Sequence, residues 1–386
     1  MTESAPWSRR ELTGMPFVPP PFASRILNAL RGGLSRLRRA PVPPALMALE
    51  SVTAIAENRV LAILVELDLP DLLAEGPATA DDLAHRAGVR VAPLERVLRF
   101  ATVRGFVGRD GADRYRGTRL TEALRRDRVQ PWRAWVEFAG STEVLAAWDR
   151  LPAALYGHDP FEMANGQDFF TFVQQTRPEL GAVFDDAMTA GALLQASLLD
   201  ATLDWSGVDE VCDIGGGTGA AAELLVREHP GLQATVFDLP EVVARARPAI
   251  VDGPLSSRVQ LVGGDMFTAV PEGRDRYLLL AVLHDWGDDD AVQILERVSE
   301  AMPALGRVVV VDAVITGGPG DEWATTTDLL MMALTRGGRE RTQPEWDSLF
   351  RRAALHVEAR HRLASGYTAF ELAAPASGAH GVADSR

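Results

Sequence analysis

The sequence predicts a mixed α/β protein in which a doubly wound, mostly parallel sheet follows a mainly helical N-terminal part. Three observations carry that expectation. From Val208 onward, short β-branched segments alternate with helical ones, the order that builds a parallel sheet covered on both faces. A glycine-rich stretch, Gly215-Gly216-Gly217-Thr218-Gly219, sits where the first of those strands turns into a helix. Upstream, residues 45–125 read as helices closed by a hairpin, a winged-helix order. The 386 residues, 47% hydrophobic and 24% charged, have an ordinary globular composition and length for two domains at ~150 residues each. The formal net charge of −14 argues against nucleic acid as a partner. A single cysteine, Cys212, excludes an intramolecular disulfide and any multi-cysteine metal site. No apolar run approaches the ~20 residues of a membrane span, and the N-terminus lacks a signal-peptide core, so a cytoplasmic protein is expected.

Residues 1–44 stand apart as an arm with seven arginines and several Pro-rich stretches. Leu27, Leu30, Leu34 and Leu37 fall near helical spacing there, interrupted by Gly32–Gly33, and an arm packing on a neighbouring subunit is the simplest reading. In residues 45–125, Thr79 opens one helix and Val91–Thr102 forms a second. Phe106–Arg109 and Arg114–Gly117 make a hairpin about Asp110–Gly111. The second helix sets Arg96 and Arg99 against Glu95, too weakly basic a face for a DNA groove, so this module is read as a dimerisation domain. Residues 126–200 are helical and dense in aromatics, including Trp135, Phe138, Phe170 and Phe184, suited to a core or to the wall of a flat ligand. They link to a catalytic unit at 201–386. Its expected strands are Val208–Ile214, Gln233–Leu239, Arg258–Val262, Arg276–Leu283, Arg307–Ile315, Val357–Leu363 and Tyr367–Leu372.

The strand ends hold the chemistry. Asp213 closes the first strand, and Gly215, Gly216 and Gly217 let backbone approach a ligand at a helix N-terminus. The dinucleotide spacing read from Gly215 fails at Ala220. Asp238, followed by Leu239, ends the second strand, where a carboxylate can accept both hydroxyls of a ribose. The third ends in Gly264-Asp265-Met266-Phe267, an acid beside two apolar side chains that suits an adenine amine and ring face. Three ends in order point at one nucleoside. The fourth strand leads to His284, at the crevice where such sheets bind ligands. Asp312 and Glu340 are placed to reach the same crevice and orient an imidazole. Asp285 is a candidate hydrogen-bond partner for a second oxygen of the substrate, and Asp328 a further polar contact. Met188, Met331 and Met332 are candidate apolar walls.

The ordered motifs DIGGGTG, FDLP, GDMF, LHDW and GGRERT, covering the chain from about residue 45 onward, resemble the plant-type (caffeate-like) small-molecule O-methyltransferases in their bacterial natural-product branch. The resemblance implies a Rossmann-like catalytic domain whose last strand is antiparallel, and a homodimer through a winged-helix domain. It implies S-adenosylmethionine as methyl donor, S-adenosylhomocysteine as product, and a small aromatic acceptor from secondary (antibiotic) metabolism. Asp238 would bind the ribose, Asp265, Met266 and Phe267 the adenine, and Gly215–Gly217 the methionine part. His284 would be the general base, and no metal is implied. Two departures stand out: Leu280 replaces a lysine of the plant members, and Asp312 replaces a glutamate. Relatives that lack the histidine include enzymes for decarboxylation or hydroxylation, and its retention here favours methyl transfer to a hydroxyl over those reactions. N-methylation and a winged-helix DNA-binding regulator complete the alternatives.

Overall fold

A computed structural model describes residues 42–375, except 112, 129–131 and 319–320. The arm expected at 1–44 therefore lies outside the described residues up to position 41.

The N-terminal module begins with α1 (Pro44–Thr53), α2 (Ile55–Glu66) and α3 (Leu69–Ala74). A two-residue strand β1 (Ala78–Thr79) runs into α4 (Ala80–Ala87). Thr79 closes that helix start with a capping box, its hydroxyl accepting from the Asp82 N–H while the Asp82 carboxylate accepts from the Thr79 N–H. Next come α5 (Val91–Val103), β2 (Gly108–Asp110), β3 (Arg114–Arg116) and α6 (Arg119–Ala123). The expected hairpin forms and gains β1 as a third strand, in the order β1-β3-β2. A strand of two residues is too short to show a period of two, so it left no trace in the hydropathy pattern. Leu64, Leu83, Leu98 and Tyr115 make this module's own core. Helix α1 buries nothing: Leu46, Met47, Leu49 and Val52 are all exposed.

A helical layer follows, with α7 (Trp132–Ala139), α8 (Thr142–Arg150), α9 (Pro160–Asn165) and the 23-residue α10 (Pro178–Asp200). Phe138, Phe161 and Phe184 from this layer each pack edge to face on Phe169.

The catalytic part alternates as expected: β4 (Glu210–Ile214), α11 (Ala220–Glu228), β5 (Gln233–Asp238), β6 (Val259–Gly263), β7 (Arg276–Leu280), α12 (Asp288–Ala301), β8 (Arg307–Ile315), α13 (Glu322–Leu334), β9 (Arg341–Thr342), α14 (Gln343–Arg352), β10 (His356–Arg362) and β11 (Tyr367–Ala373). The sheet order is β10-β11-β8-β7-β4-β5-β6, with β9 beside β8. Strands β4 to β8 are parallel, and β11, the last, runs antiparallel to both neighbours. One apolar layer forms on each face, so the interior of β8 reads as an unbroken apolar run around Asp312.

One strand differs from the sequence reading in a way that matters. The strand expected over Arg276–Leu283 stops at Leu280, because Ala281 adopts a left-handed φ of 55°. The chain then closes a 3-10 turn over Leu283–Asp285, which lifts His284 out of the sheet.

Candidate active site

The carboxyl ends of β4, β5, β6, β7 and β8 open onto one cavity of about 670 Å³, roofed by α7, α10 and α13. At the end of β4 the backbone must turn sharply, and Gly215, Gly217 and Gly219 take left-handed φ values of 68°, 58° and 87°. A Cβ on Gly216 would stand 2.9 Å from the Asp213 carboxyl, so only glycine lets the loop lie this close. Asp238 joins two strand ends: its Oδ2 accepts from the Gly217 N–H at 2.8 Å and its Oδ1 from the Leu239 N–H at 2.7 Å. Burial raises its pKa against those bonds. Asp213 lies behind the loop, fully enclosed, with Oδ2 unpartnered. Burial, then the nearby Asp238 charge, pushes its pKa up to about 7.

At the end of β6, Gly264 presses against the Phe237 ring, where a Cβ would come within 2.5 Å. Asp265 is exposed, and accepts from the Phe267 N–H at 3.0 Å and the Thr268 hydroxyl at 3.1 Å. Met266 and Phe267 are half-buried cavity walls, and Phe267 stands edge-on to Trp286 at 4.7 Å. Phe170 stacks on the same indole at 5.5 Å.

His284 is buried, 7% exposed. Its Nδ1 lies 2.9 Å from Glu340 Oε1, a hydrogen bond that leaves Nε2 for the cavity. The loop bearing Glu340 is locked to the histidine turn. The Arg339 N–H donates to the His284 carbonyl at 2.7 Å, and the fully buried Arg341 donates to the carbonyls of Leu283 and Trp286. Asp328 does not reach the cavity as expected; it accepts from the Glu340 N–H at 2.9 Å and so fixes the carboxylate from behind. Asp312, expected to orient the imidazole, falls short: Oδ1 is 3.5 Å from Nδ1, and neither of its buried oxygens has a hydrogen-bond partner. An aspartate is one methylene shorter than a glutamate, and β8 is too firmly packed to move toward the ring. Burial pushes the Asp312 pKa up to about 8. Burial likewise raises Asp285, whose Oδ1 is 3.6 Å from Nε2, to about 6. For His284, burial disfavours the imidazolium, but Glu340, Asp285 and Asp312 outweigh it and push the pKa up to about 10.

Of the expected walls, Met188 and Met331 line the cavity and Met332 does not. Along α13 the lining positions include Trp323, Thr327, Leu330, Met331 and Leu334, one face at helical spacing, and Met332 is turned from Met331 by about 100°. The sequence reading missed Trp323 and Tyr367 on the cavity wall, and the Asp185–Arg245 pair, whose Nε–Oδ2 distance is 2.7 Å. The i, i+4 pair Phe184 and Met188 was the one readable sign of the lining face of α10.

A doubly wound sheet with three ligand-facing strand ends, and a carboxylate-held histidine in the same aromatic cavity, defines a nucleoside-dependent group-transfer enzyme. Residues 148–356 match the O-methyltransferase domain and residues 49–127 the O-methyltransferase dimerisation domain. The chain belongs to the O-methyltransferase family. Among its relatives, the mitomycin biosynthesis 6-O-methyltransferase of Streptomyces lavendulae is 35% identical over 304 residues, 78% of this chain and 86% of the relative. The 2,7-dihydroxy-5-methyl-1-naphthoate 7-O-methyltransferase of Streptomyces carzinostaticus is 33% identical, over 82% of this chain and 94% of the relative. The crystal structure of an O-methyltransferase from neocarzinostatin biosynthesis, in complex with S-adenosylmethionine and 2-hydroxy-5-methyl naphthoic acid, matches with a TM-score of 0.73 and 32% identity, covering 85% of this chain and 98% of that one. No helix among the described residues is long and apolar enough to cross a membrane.

Proposed function

We propose that this enzyme methylates a phenolic hydroxyl of an aromatic natural product, with S-adenosylmethionine as donor and His284 as general base. The observation that carries this reading is the His284 Nδ1–Glu340 bond of 2.9 Å, which leaves Nε2 free in the cavity that the nucleoside-binding strand ends also line. The donor site fits the residues present. Asp238 would take the ribose hydroxyls, Met266 and Phe267 would hold the adenine ring and Asp265 its amine. Leu239 and Gly264 would flank the nucleoside, while Gly215, Gly216 and Gly217 admit the methionine part. Asp213, buried behind that loop with one oxygen unpartnered, would back the loop and does not itself line the cavity. S-adenosylmethionine supplies an electrophilic methyl group on a sulfonium, and the chain's residues do the rest.

A phenol with pKa near ~10 gives its proton to an ordinary imidazole of pKa ~6.5 at a cost of roughly 4–5 kcal/mol. Glu340 stabilises the imidazolium that forms, and the raised pKa of His284 brings acceptor and base close to balance. The same shift sets the pH dependence: the base works only when neutral, so kcat/KM should climb as pH rises through that pKa. Trp135, Trp323, Met188 and Met331 hold a flat ring and exclude water, and Asp285 is aimed to meet a second polar group on it. We further infer a homodimer formed through residues 45–125, for which the exposed apolar face of α1 is the support. A helical linker at 126–200, a catalytic unit at 201–386 and a cytoplasmic setting, consistent with one buried thiol, complete the reading.

Titration calorimetry with S-adenosylhomocysteine tests the donor site. Micromolar binding by the wild type, lost in Asp238→Ala, is expected. Absence of binding by the wild type overturns the donor assignment. Mass gain of 14 on a phenol panel, lost in His284→Ala, then tests the base.

A further inference from the structure

Helix α10 contains two interior glycines with opposite surroundings. At Gly181 a Cβ would stand 2.4 Å from the Val173 carbonyl oxygen, so packing excludes a side chain. At Gly191 a Cβ would meet nothing within 4 Å, although the residue lines the cavity. An interior glycine is less favourable in a helix than alanine, and no close approach at Gly191 explains it. What it leaves is room.

The geometry shows where that room lies. Phe184, Met188, Gly191 and Gln195 follow the i, i+4, i+7, i+11 spacing of one helix face, and all four line the cavity. Phe184 contacts Phe138 and Phe169 in the aromatic cluster, which puts this face on the acceptor side. The neighbouring face serves the donor side: Asp185 holds Arg245, and the Thr189 hydroxyl lies 3.2 Å from that of Thr218 in the glycine loop. The acceptor face ends at Gln195, about 6 Å along the axis from Gly191. Gln195 is 5% exposed, and its Oε1 accepts from the Ser365 hydroxyl at 2.9 Å. A side-chain amide has two heads, and whichever way round it is set, the one that does not meet Ser365 remains to serve the cavity this residue lines.

We infer that Gly191 opens a lobe of the acceptor site that ends at Gln195 and takes the far ring of a fused polycyclic aromatic, whose carbonyl or hydroxyl meets the free head of that amide. The inference rests on the methyltransferase reading only for calling this half of the cavity the acceptor side.

The test compares catechol, with one ring, and 1,2-dihydroxyanthraquinone, with three, by calorimetry on protein saturated with S-adenosylhomocysteine. Wild type should bind the three-ring compound about ten-fold tighter or more, and Gly191→Leu should remove about ten-fold of that preference by filling the lobe. Gln195→Met should weaken the three-ring compound several-fold. Equal binding of both compounds by the wild type, or an intact preference in Gly191→Leu, overturns the inference. If Gly191→Leu fails to fold, Gly191→Ala adds one methyl to a helix that favours it, and a preference unchanged in that variant overturns the inference equally. If S-adenosylhomocysteine does not bind, the donor assignment fails, and the ring comparison without it still decides the lobe.

Discussion

His284 is held by one carboxylate and overlooked by two more, and the three are not equivalent. Glu340 makes the hydrogen bond, Asp285 faces the cavity, and Asp312 sits 0.6 Å farther from Nδ1 than Glu340 does, by 3.5 − 2.9. Replacing Glu340 with glutamine removes a charge that holds the imidazolium. The rise of kcat/KM with pH should then move to lower pH, while the plateau falls by about 10²-fold, the lower end of what a positioned base contributes. A pH series of initial rates reads both. Asp312→Asn should act differently, because Asp312 makes no hydrogen bond to the ring and burial raises its pKa toward the neutral form. Its effect on turnover should stay within about three-fold, and its effect on stability should depend on pH. The folded state binds a proton at Asp312 that the unfolded chain, with a pKa near 3.9, releases. Wild-type stability is therefore fully present below that value and lost as pH rises toward 8, so the melting-temperature gain of Asp312→Asn should grow from pH 5 to pH 8. At this scale the sequence named Asp238 and His284 because the ends of parallel strands carry the ligand chemistry, and Glu340 through the GGRERT loop. It did not show that Asp312 falls short, since reach depends on how β8 is packed.

Elements with strong local signals were legible. Helix α11 (Ala220–Glu228) follows the glycine loop and β8 spans Arg307–Ile315, as the helix after the loop and the strand bounds were expected. Elements set by tertiary contact were not, β1 and the 3-10 turn before Asp285 among them. The acceptor wall was also hidden, because α7, α10, α13 and the β10–β11 hairpin bring it together from residues as far apart as Trp132 and Tyr367. The two glycines of α10 give an element-scale expectation. Gly191→Ala should stabilise by about 0.5–1 kcal/mol, whereas Gly181→Ala should destabilise by about 1–3 kcal/mol through its clash with Val173. Denaturant midpoints of the two variants, opposite in sign, would check it.

Across the whole molecule, the division between an assembling N-terminal module and a chemical C-terminal one follows from where each buries its apolar surface. The sheet is covered on both faces within one chain, but α1 leaves Leu46, Met47, Leu49 and Val52 open. Replacing Leu49 and Val52 with glutamate should convert a dimer to a monomer in light scattering, with no effect on the fold of the catalytic part. The doubly wound order was legible from strand–helix alternation alone, since each parallel connection requires a helix between strands. Trp132, Trp135, Trp286 and Trp323 all face the cavity, and they are four of the eight tryptophans in the chain. Half of the protein's indole fluorophores therefore lie within reach of whatever enters, so occupancy by a quinone or other absorbing ring can be followed in real time without a label.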